Sequence, residues 1–446
     1  MMSSKSRLVT YRWIALFALL PTAFTLAGGR VLADDFDALR DDMQRMQRQL
    51  DAQQAVIERQ QRELESLRPT DAQERWLDEA RSEQVRQLAA EVIADADARD
   101  TRRPWAGHDG TFSLRSADGR FRLNIGALLQ PRYVYTHRAG DAEDSSTFTI
   151  NRAQLDFAGH VFDPRFTFRL MPEFARDPEM LDAWVNFAFM DQLQVRAGQF
   201  TVPFQWHRVI THRRQHFSQR GLASETFGVP GGYDIGLMVH GRGSQRDWDY
   251  ALGFFGGEGR NVGITEGTGH MAVARMSYAL MGTLPTAESD ITTMDGPGLS
   301  VGGGLLGAWD NTLRDWDRGQ SLVGDTAGDW LAATADVHYR WLGISLAADG
   351  YWRHVSPSDS AVASYDGWGF GVSAGYTFMP ELYEVVARVG QAMADTNVGD
   401  TRQREYGIGL NIYHEGHAWK TRLNYLYLDT PLGDSGRFIL EHHLDF

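Results

Sequence analysis

The chain contains no cysteine, and of its two lysines only Lys420 lies beyond residue 33. Without thiols there are no disulfides and no thiolate metal sites. After Leu20 no apolar run is long enough for a helix that crosses a bilayer. There is no nucleophile elbow, no Gly-rich phosphate loop and no HExxH motif, so catalysis finds no support and no cofactor is expected. Gly302-Gly303-Gly304 sits in a strand-like segment rather than ahead of a helix. A net charge of −14 over 446 residues argues against nucleic acid as a partner.

What is present begins with an export signal. Lys5, Arg7 and Arg12 precede the apolar run 13–20, and Val31-Leu32-Ala33 is a small-residue cleavage site, which makes residues 1–33 a secretory signal peptide. An uncleaved anchor is the alternative, but the run is interrupted at Pro21 and short for a span. Removing Lys5, Arg7, Arg12 and Arg30, and no acid, takes the net charge from −14 to −18.

Residues 34–100 read as a periplasmic α-helical coiled coil. Phe36, Leu39, Met43, Met46, Leu50, Ile57, Leu64 and Leu67 alternate at three and four, with Gln53 and Gln60 filling the gaps. One helix cannot bury such a seam in water, so it implies self-association. Pro69 ends the first helix, and a weaker helical stretch carries Leu77, Leu88 and Val92. Residues 101–119 read as a linker.

From residue 120 to 446 the hydrophobic period is two. Phe121, Leu123, Ile125, Ala127 and Leu129 alternate with Arg120, Arg122, Asn124 and Gln130, and Trp419, Leu423, Tyr425 and Tyr427 face away from Lys420, Arg422 and Asn424. A soluble sandwich alternates too, but the connections favour a transmembrane barrel. Short turns at Asp163-Pro164, Asp191-Gln192, 340–343, Met379-Pro380 and Glu415-Gly416 alternate with long polar stretches at 138–146, 201–231, 256–270, 310–329, 355–365 and 392–403. The expectation is an all-β barrel of about 16 antiparallel strands. The segment 281–297 is long for a turn. The final strand shows Phe438, Leu440, His442 and Leu444 on one face and ends in Phe446, which looks like the recognition signal of outer-membrane barrels.

The densest chemistry lies in residues 201–220. Arg208, Arg213, Arg214 and Arg220 alternate there with His207, His212 and His216, and no acid interrupts them. Such a loop between strands is a nucleic-acid patch, a surface interaction loop or an anion filter folded into a pore. Strand parity independently puts Arg122, Arg132, Arg152, Arg169, Arg196 and Arg422 on the face away from lipid. On the lipid face at mid-depth each would cost roughly 2–4 kcal/mol. A guanidinium keeps its charge and offers planar paired donors to phosphate or carboxylate oxygens. The competing use of the same arginines is as braces, paired with Asp156, Asp182 and Glu384. His212 and His216 have the spacing of a metal pair on one helical turn, but the arginines between them disfavour a cation. Titration of these histidines in the filter is the more useful expectation.

The stretches FRLNIGALLQPRYVY at 121–135, FTINRAQLDFAGHVFDPRFTFRLMPEF at 148–174 and LDAWVNFAFMDQLQVRAGQFTVPF at 181–204 resemble the phosphate-selective porin family of the O and P type. The resemblance implies an outer-membrane homotrimer of sixteen-stranded barrels, each pore narrowed by an infolded third external loop. It also implies a column of lumen arginines leading small anions such as phosphate to a lysine-rich constriction. With Lys420 the lone lysine after residue 33, a lysine filter is not present here. Arg213 and its neighbours stand where the third-loop basic site belongs, and Arg152 fills one position of the family's basic pair while Asn151 takes the other. The leading expectation is an outer-membrane porin passing small anions through an arginine-lined pore narrowed by loop 201–231. The alternatives are a weakly selective porin, or a structural protein whose coiled coil tethers the membrane to the cell wall.

Overall fold

A computed structural model of the chain describes residues 105–108, 112–140, 143–262, 269–311, 314–315, 320–321, 328–395 and 401–446, together with Gln53 and Ala55, which are helical. The signal peptide expected over 1–33 and the rest of the coiled coil expected over 34–100 lie outside the described residues.

Sixteen antiparallel strands form the barrel: β1 (Arg122–Arg138), β2 (Ser145–His160), β3 (Phe166–Glu173), β4 (Glu179–Met190), β5 (Leu193–Thr201), β6 (Tyr233–Arg242), β7 (Trp248–Phe255) and β8 (His270–Met281), then β9 (Gly298–Asn311), β10 (Gly328–Trp341), β11 (Ile344–Pro357), β12 (Tyr365–Met379), β13 (Tyr383–Met393), β14 (Arg402–Glu415), β15 (Trp419–Asp429) and β16 (Ser435–Asp445). Each pairs with the next, and β16 pairs with β1 from Ser435↔Arg138 to Asp445↔Leu128, which closes the ring. Closure leaves every central strand with two neighbours and abolishes the unpaired edges that lipid would not tolerate.

Within 101–119, expected as a linker, two described segments are paired strands. Trp105–His108 and Phe112–Arg115 form a short hairpin. Its second strand pairs with Arg122–Ile125 of β1, the flank that β16 does not reach. Backbone groups left open at the closure find partners there.

The burial pattern is inverted relative to a soluble protein. Leu305 and Ile408 are each 62% exposed, whereas Glu384, Arg422 and Glu441 are at 0%. Alternation with period two sends the first set to lipid and the second to the interior, as read from the sequence. His442, the outward exception on β16, accepts a hydrogen bond from the Trp419 indole at 2.9 Å. The β10–β11 turn has Leu342 at φ 51° and Gly343 at φ 80°, the two positive values a tight hairpin of primed type needs.

The segment 282–297 between β8 and β9 is a long connection on the short-turn rim, and it turns inward. Ala287, Glu288, Ser289 and Asp290 are all buried. Ser289 Oγ lies 3.0 Å from Glu384 and 2.9 Å from the Tyr413 hydroxyl, and the Gly343 N–H donates to Asp290 at 2.8 Å. The excess length that sat awkwardly in the strand count is thus spent inside the barrel.

Candidate functional site

The 201–231 loop enters the barrel and is held there by its own sequence. Between β5 and β6 it forms α1 (Trp206–Val209), a 3₁₀ turn at His212–Arg214 and α2 (Leu222–Phe227). Three apolar anchors fasten it. Val202, Phe204 and Val229 pack with Phe255, Met271, Leu306 and Trp330. Phe217 packs with Val386, Leu426 and Ile439, and Ala223 and Phe227 pack with Tyr351 and Ala392. Each phenylalanine so buried contributes about 1.5–3 kcal/mol. Wall glycines make the space: a Cβ at Gly304 would strike the Phe204 carbonyl, and one at Gly369 would lie 2.6 Å from the Phe227 ring.

Cations on the wall behind the loop bind its carbonyls. Lys420 Nζ donates to Arg213 O at 2.8 Å, and Arg422 donates to Gln215 O at 3.2 Å and Phe217 O at 3.1 Å. Arg388 reaches Gln219 O at 2.8 Å, Arg353 reaches Thr226 O at 3.0 Å and Arg275 reaches Phe204 O at 3.3 Å. Arg275, Arg388 and Arg422 also pair with Asp336, Glu405 and Glu441. Each of these three buried charges thus has an acid and a loop carbonyl beside it, and breaking a pair leaves an uncompensated ion.

In front of the loop is a cavity of about 1360 Å³, bounded by the loop on one side and mainly by the inner faces of β1–β6 on the other. Of the residues singled out in the sequence, Arg132, Arg152, Arg169, Arg196, Arg208, His212, Arg213 and Arg220 line it. Four others do not. Arg122 sits near the β1 terminus and binds Asn124 at 2.8 Å. Arg214 is exposed at the end of the 3₁₀ turn. His216 is buried with Nε2 3.3 Å from Glu384 and 3.1 Å from Ser345. Arg422 is wholly buried behind the loop. His212, Arg213 and Arg214 share one 3₁₀ turn, through which the period-two parity of a strand does not extend.

The lining arginines divide by partner. Arg169 pairs with Asp156 at 2.6 Å and Asp182 at 3.2 Å, and Arg213 pairs with Asp445 at 2.5 Å and Asp156 at 3.7 Å. Arg208 reaches Glu225 at 3.5 Å. Arg132, Arg152, Arg196 and Arg220 have no ion pair among the described residues. Their contacts are neutral: Arg132 with Thr149 at 3.1 Å, Arg152 with Gln130 at 2.8 Å, and Arg220 with His207 O at 2.8 Å. Arg196 lies over the Trp184 ring at 4.1 Å. Arg437, which the sequence reading passed over, lines the same cavity, donates to Gln219 Oε1 at 3.2 Å and has no ion pair among the described residues. Its inward parity on β16 was the available signal. Arg242, at the end of β6, also bounds the cavity.

Loop charges follow from these surroundings. Burial, reinforced by Arg152, Arg220 and Arg213, holds His212 well below the ordinary histidine value, so it is neutral at physiological pH. Burial and the Arg208 charge pull Arg220 down, which still leaves it a cation at neutral pH. His207 is the opposite case. Burial opposes its charge, but Asp349 at 2.9 Å and Glu288 at 3.0 Å outweigh that and push it up to about 10.

A closed sixteen-stranded ring with an apolar exterior, a charged interior and an infolded loop is an outer-membrane porin. The chain belongs to the family described as phosphate-selective porin O and P, whose model matches residues 125–431. Among solved structures it is similar to an anion-selective porin from Comamonas acidovorans, with 12% identity, a TM-score of 0.52 and coverage of 73% of this chain and 99% of that one. It is also similar to the outer-membrane expressed OmpT of Vibrio cholerae, with 10% identity, a TM-score of 0.51 and coverage of 73% and 98%. At such identities the likeness concerns the fold. No curated protein matches the chain by sequence.

Proposed function

We propose that the protein is a diffusion channel for small anions, phosphate-like or carboxylate, whose path runs through the cavity between loop 201–231 and β1–β6. The observation that carries this reading is the set of guanidiniums with no ion pair among the described residues, Arg132, Arg152, Arg196, Arg220 and Arg437, all lining that cavity. Acids there are mostly engaged: Asp182 with Arg169, Glu405 with Arg388, and Glu179 with Arg260 at 2.8 Å. Glu173 accepts from the Ala153, Phe174 and Ala175 N–H groups. Unpaired fixed cations in a narrow lumen replace part of an anion's hydration, and their neutral neighbours leave binding weak enough for release.

The active assembly we infer is a homotrimer anchored in outer-membrane lipid, with residues 34–100 as a periplasmic coiled coil after removal of 1–33. The heptad seam supports self-association. Contact of that coiled coil with the cell wall is a secondary role.

The test is the reversal potential of the purified protein in a planar bilayer under a KCl gradient. Anion preference is expected. A reversal potential at zero would replace this reading by the weakly selective porin, for which Asp177 and Asp249 at the same cavity would be responsible.

A further inference from the structure

The loop and the inward connection 282–297 arrive from opposite rims and meet at one residue. Glu288 Oε1 lies 3.0 Å from His207 Nδ1, and its Oε2 accepts the His216 N–H at 2.5 Å. Its own N–H donates to Arg214 O at 2.9 Å. One side chain and its backbone therefore hold both ends of the stretch 207–216, which presents Arg208, His212 and Arg213 to the cavity. The connection is itself tied to the wall, through Ser289 to Glu384 and Tyr413, and through Arg340 to Pro285 O at 2.7 Å. Glu288 is 6% exposed and does not line the cavity, so permeating ions do not use it.

We propose that Glu288 is a positioning residue for permeation: it staples the loop to the 282–297 connection and so fixes the cross-section of the path. This rests on the reading above only in taking the loop as the wall of that path, and it does not depend on which ion sign is preferred. The connection sets the depth of the loop, and the carboxylate sets its angle by engaging His207 and His216 at once. The apolar anchors at Phe204, Phe217 and Phe227 lie outside the stapled stretch. Without the staple the loop stays in the barrel, but the segment between its first two anchors loses its tie to the 282–297 connection and is held by its wall contacts alone, His207 to Asp349, His216 to Glu384, and Lys420 and Arg422 to the Arg213 and Gln215 carbonyls.

Single-channel recording on the full chain tests this. Glu288→Ala should insert, keep the sign of its reversal potential, and show a several-fold rise in open-channel current variance with loss of a single conductance level. Glu288→Gln keeps an oxygen for the His216 N–H and should show the same noise to a lesser degree. It serves if the alanine variant does not fold. The chain has no cysteine, so Arg214→Cys with Glu288→Cys introduces a unique pair where the two backbones already touch. This protein should be noisy in reductant and return to the quiet wild-type level on oxidation. A purely structural role would lower the unfolding temperature of the barrel without adding noise. Quiet, wild-type currents from the Ala or Gln variant overturn the proposal. So does a cysteine pair that fails to cross-link, or behaves alike oxidised and reduced. A wild-type protein with no anion preference but a noisy Glu288→Ala variant would sink the anion reading and leave the staple standing.

Discussion

Arg214 and Arg220 carry the same charge on the same loop, but only Arg220 faces the cavity. Replacing each with Gln removes one positive charge while leaving the loop's apolar anchors in place. An anion passing about 4 Å from a guanidinium gains about 1 kcal/mol if the space between behaves as bulk water, and about 4 kcal/mol at the effective dielectric of a protein surface. The cavity is large enough to keep water, so the lower part of that range applies. Loss of Arg220 should cost roughly 1–2 kcal/mol of anion stabilisation, a factor of about 5 to 30 in occupancy. The anion-to-cation permeability ratio, read from the reversal potential in a KCl gradient, should fall by a comparable factor at low salt and by less at high salt. Arg152→Gln on the facing wall should act likewise. Arg214→Gln exposes no new charge to the path, and solvent screens its loss over about 8 Å at physiological ionic strength. Its permeability ratio should stay at the wild-type value. Equal shifts from Arg214→Gln and Arg220→Gln would refute the reasoning, because selectivity would then come from the charge of the loop as a whole.

Arg422→Met leaves Glu441 buried without its partner and removes the donors to Gln215 and Phe217 carbonyls, so barrel stability should drop by about 3–5 kcal/mol, measured by thermal or denaturant unfolding in detergent. His207 has a folded-state value raised to about 10, so the stability it contributes is complete below its unfolded value of about 6.5 and is lost as pH climbs through 10. The unfolding temperature should therefore fall between pH 7 and pH 10.5, and His207→Gln should flatten that part of the profile. Burial keeps His212 neutral, so anion preference should not rise between pH 8 and about 5.5 through this residue, and reversal potentials across that range check it. Mass measurement in mild detergent should return a trimer for the chain with residues 34–100 present, and deletion of 34–68 should leave a barrel that still inserts.

The barrel was legible because its rule is local. Period-two alternation fixes which face of each strand meets lipid, so Arg132, Arg152, Arg169, Arg196 and Arg422 were all placed on the interior side without knowledge of any contact. The infolding of the basic loop was implied by the family resemblance, while its length and flanking strands alone left a surface loop and a nucleic-acid patch open beside a pore filter. What parity does not carry is depth or partnership. Arg152 and Arg422 look alike in sequence, yet Arg422 is sealed behind the loop in an ion pair with Glu441 while Arg152 faces the cavity with a hydrogen bond to Gln130. The difference is made by Phe217, which packs on Val386, Leu426 and Ile439 and draws the loop over one wall and away from the other. Nothing local to either arginine records that. The inward fold of 282–297 had one sequence signal, its excess length, and the glycines at Gly304 and Gly369 had another, since inward glycines on a barrel wall mark where something must approach closely.

Bracing and conduction were competing explanations for the interior arginines, and on the function proposed above each is a condition of the other. A loop bearing Arg208, Arg213, Arg214 and Arg220 would be expelled towards water if nothing offset the desolvation of its backbone and charges. Lys420, Arg422, Arg388, Arg353 and Arg275 offset it from behind by donating to loop carbonyls, and they remain affordable in a buried wall because Glu441, Glu405 and Asp336 neutralise three of them. Acids consumed in that way are not available to the cavity. On the proposed function, the wall that braces the loop also keeps those carboxylates out of ion-pair contact with Arg152 and Arg220, so that their charges would serve a solute. A variant that moved one acid across, such as Gln130→Glu beside Arg152, would put a carboxylate where the guanidinium now bonds at 2.8 Å and should reduce anion preference as strongly as deleting Arg152, while giving up the Gln130 contact to His443 Nδ1 at 2.7 Å. Permeability ratio and unfolding temperature, measured on the same preparation, separate this from simple damage. A Gln130→Glu channel with undiminished anion preference would mean that unpaired guanidiniums are not what selects the ion.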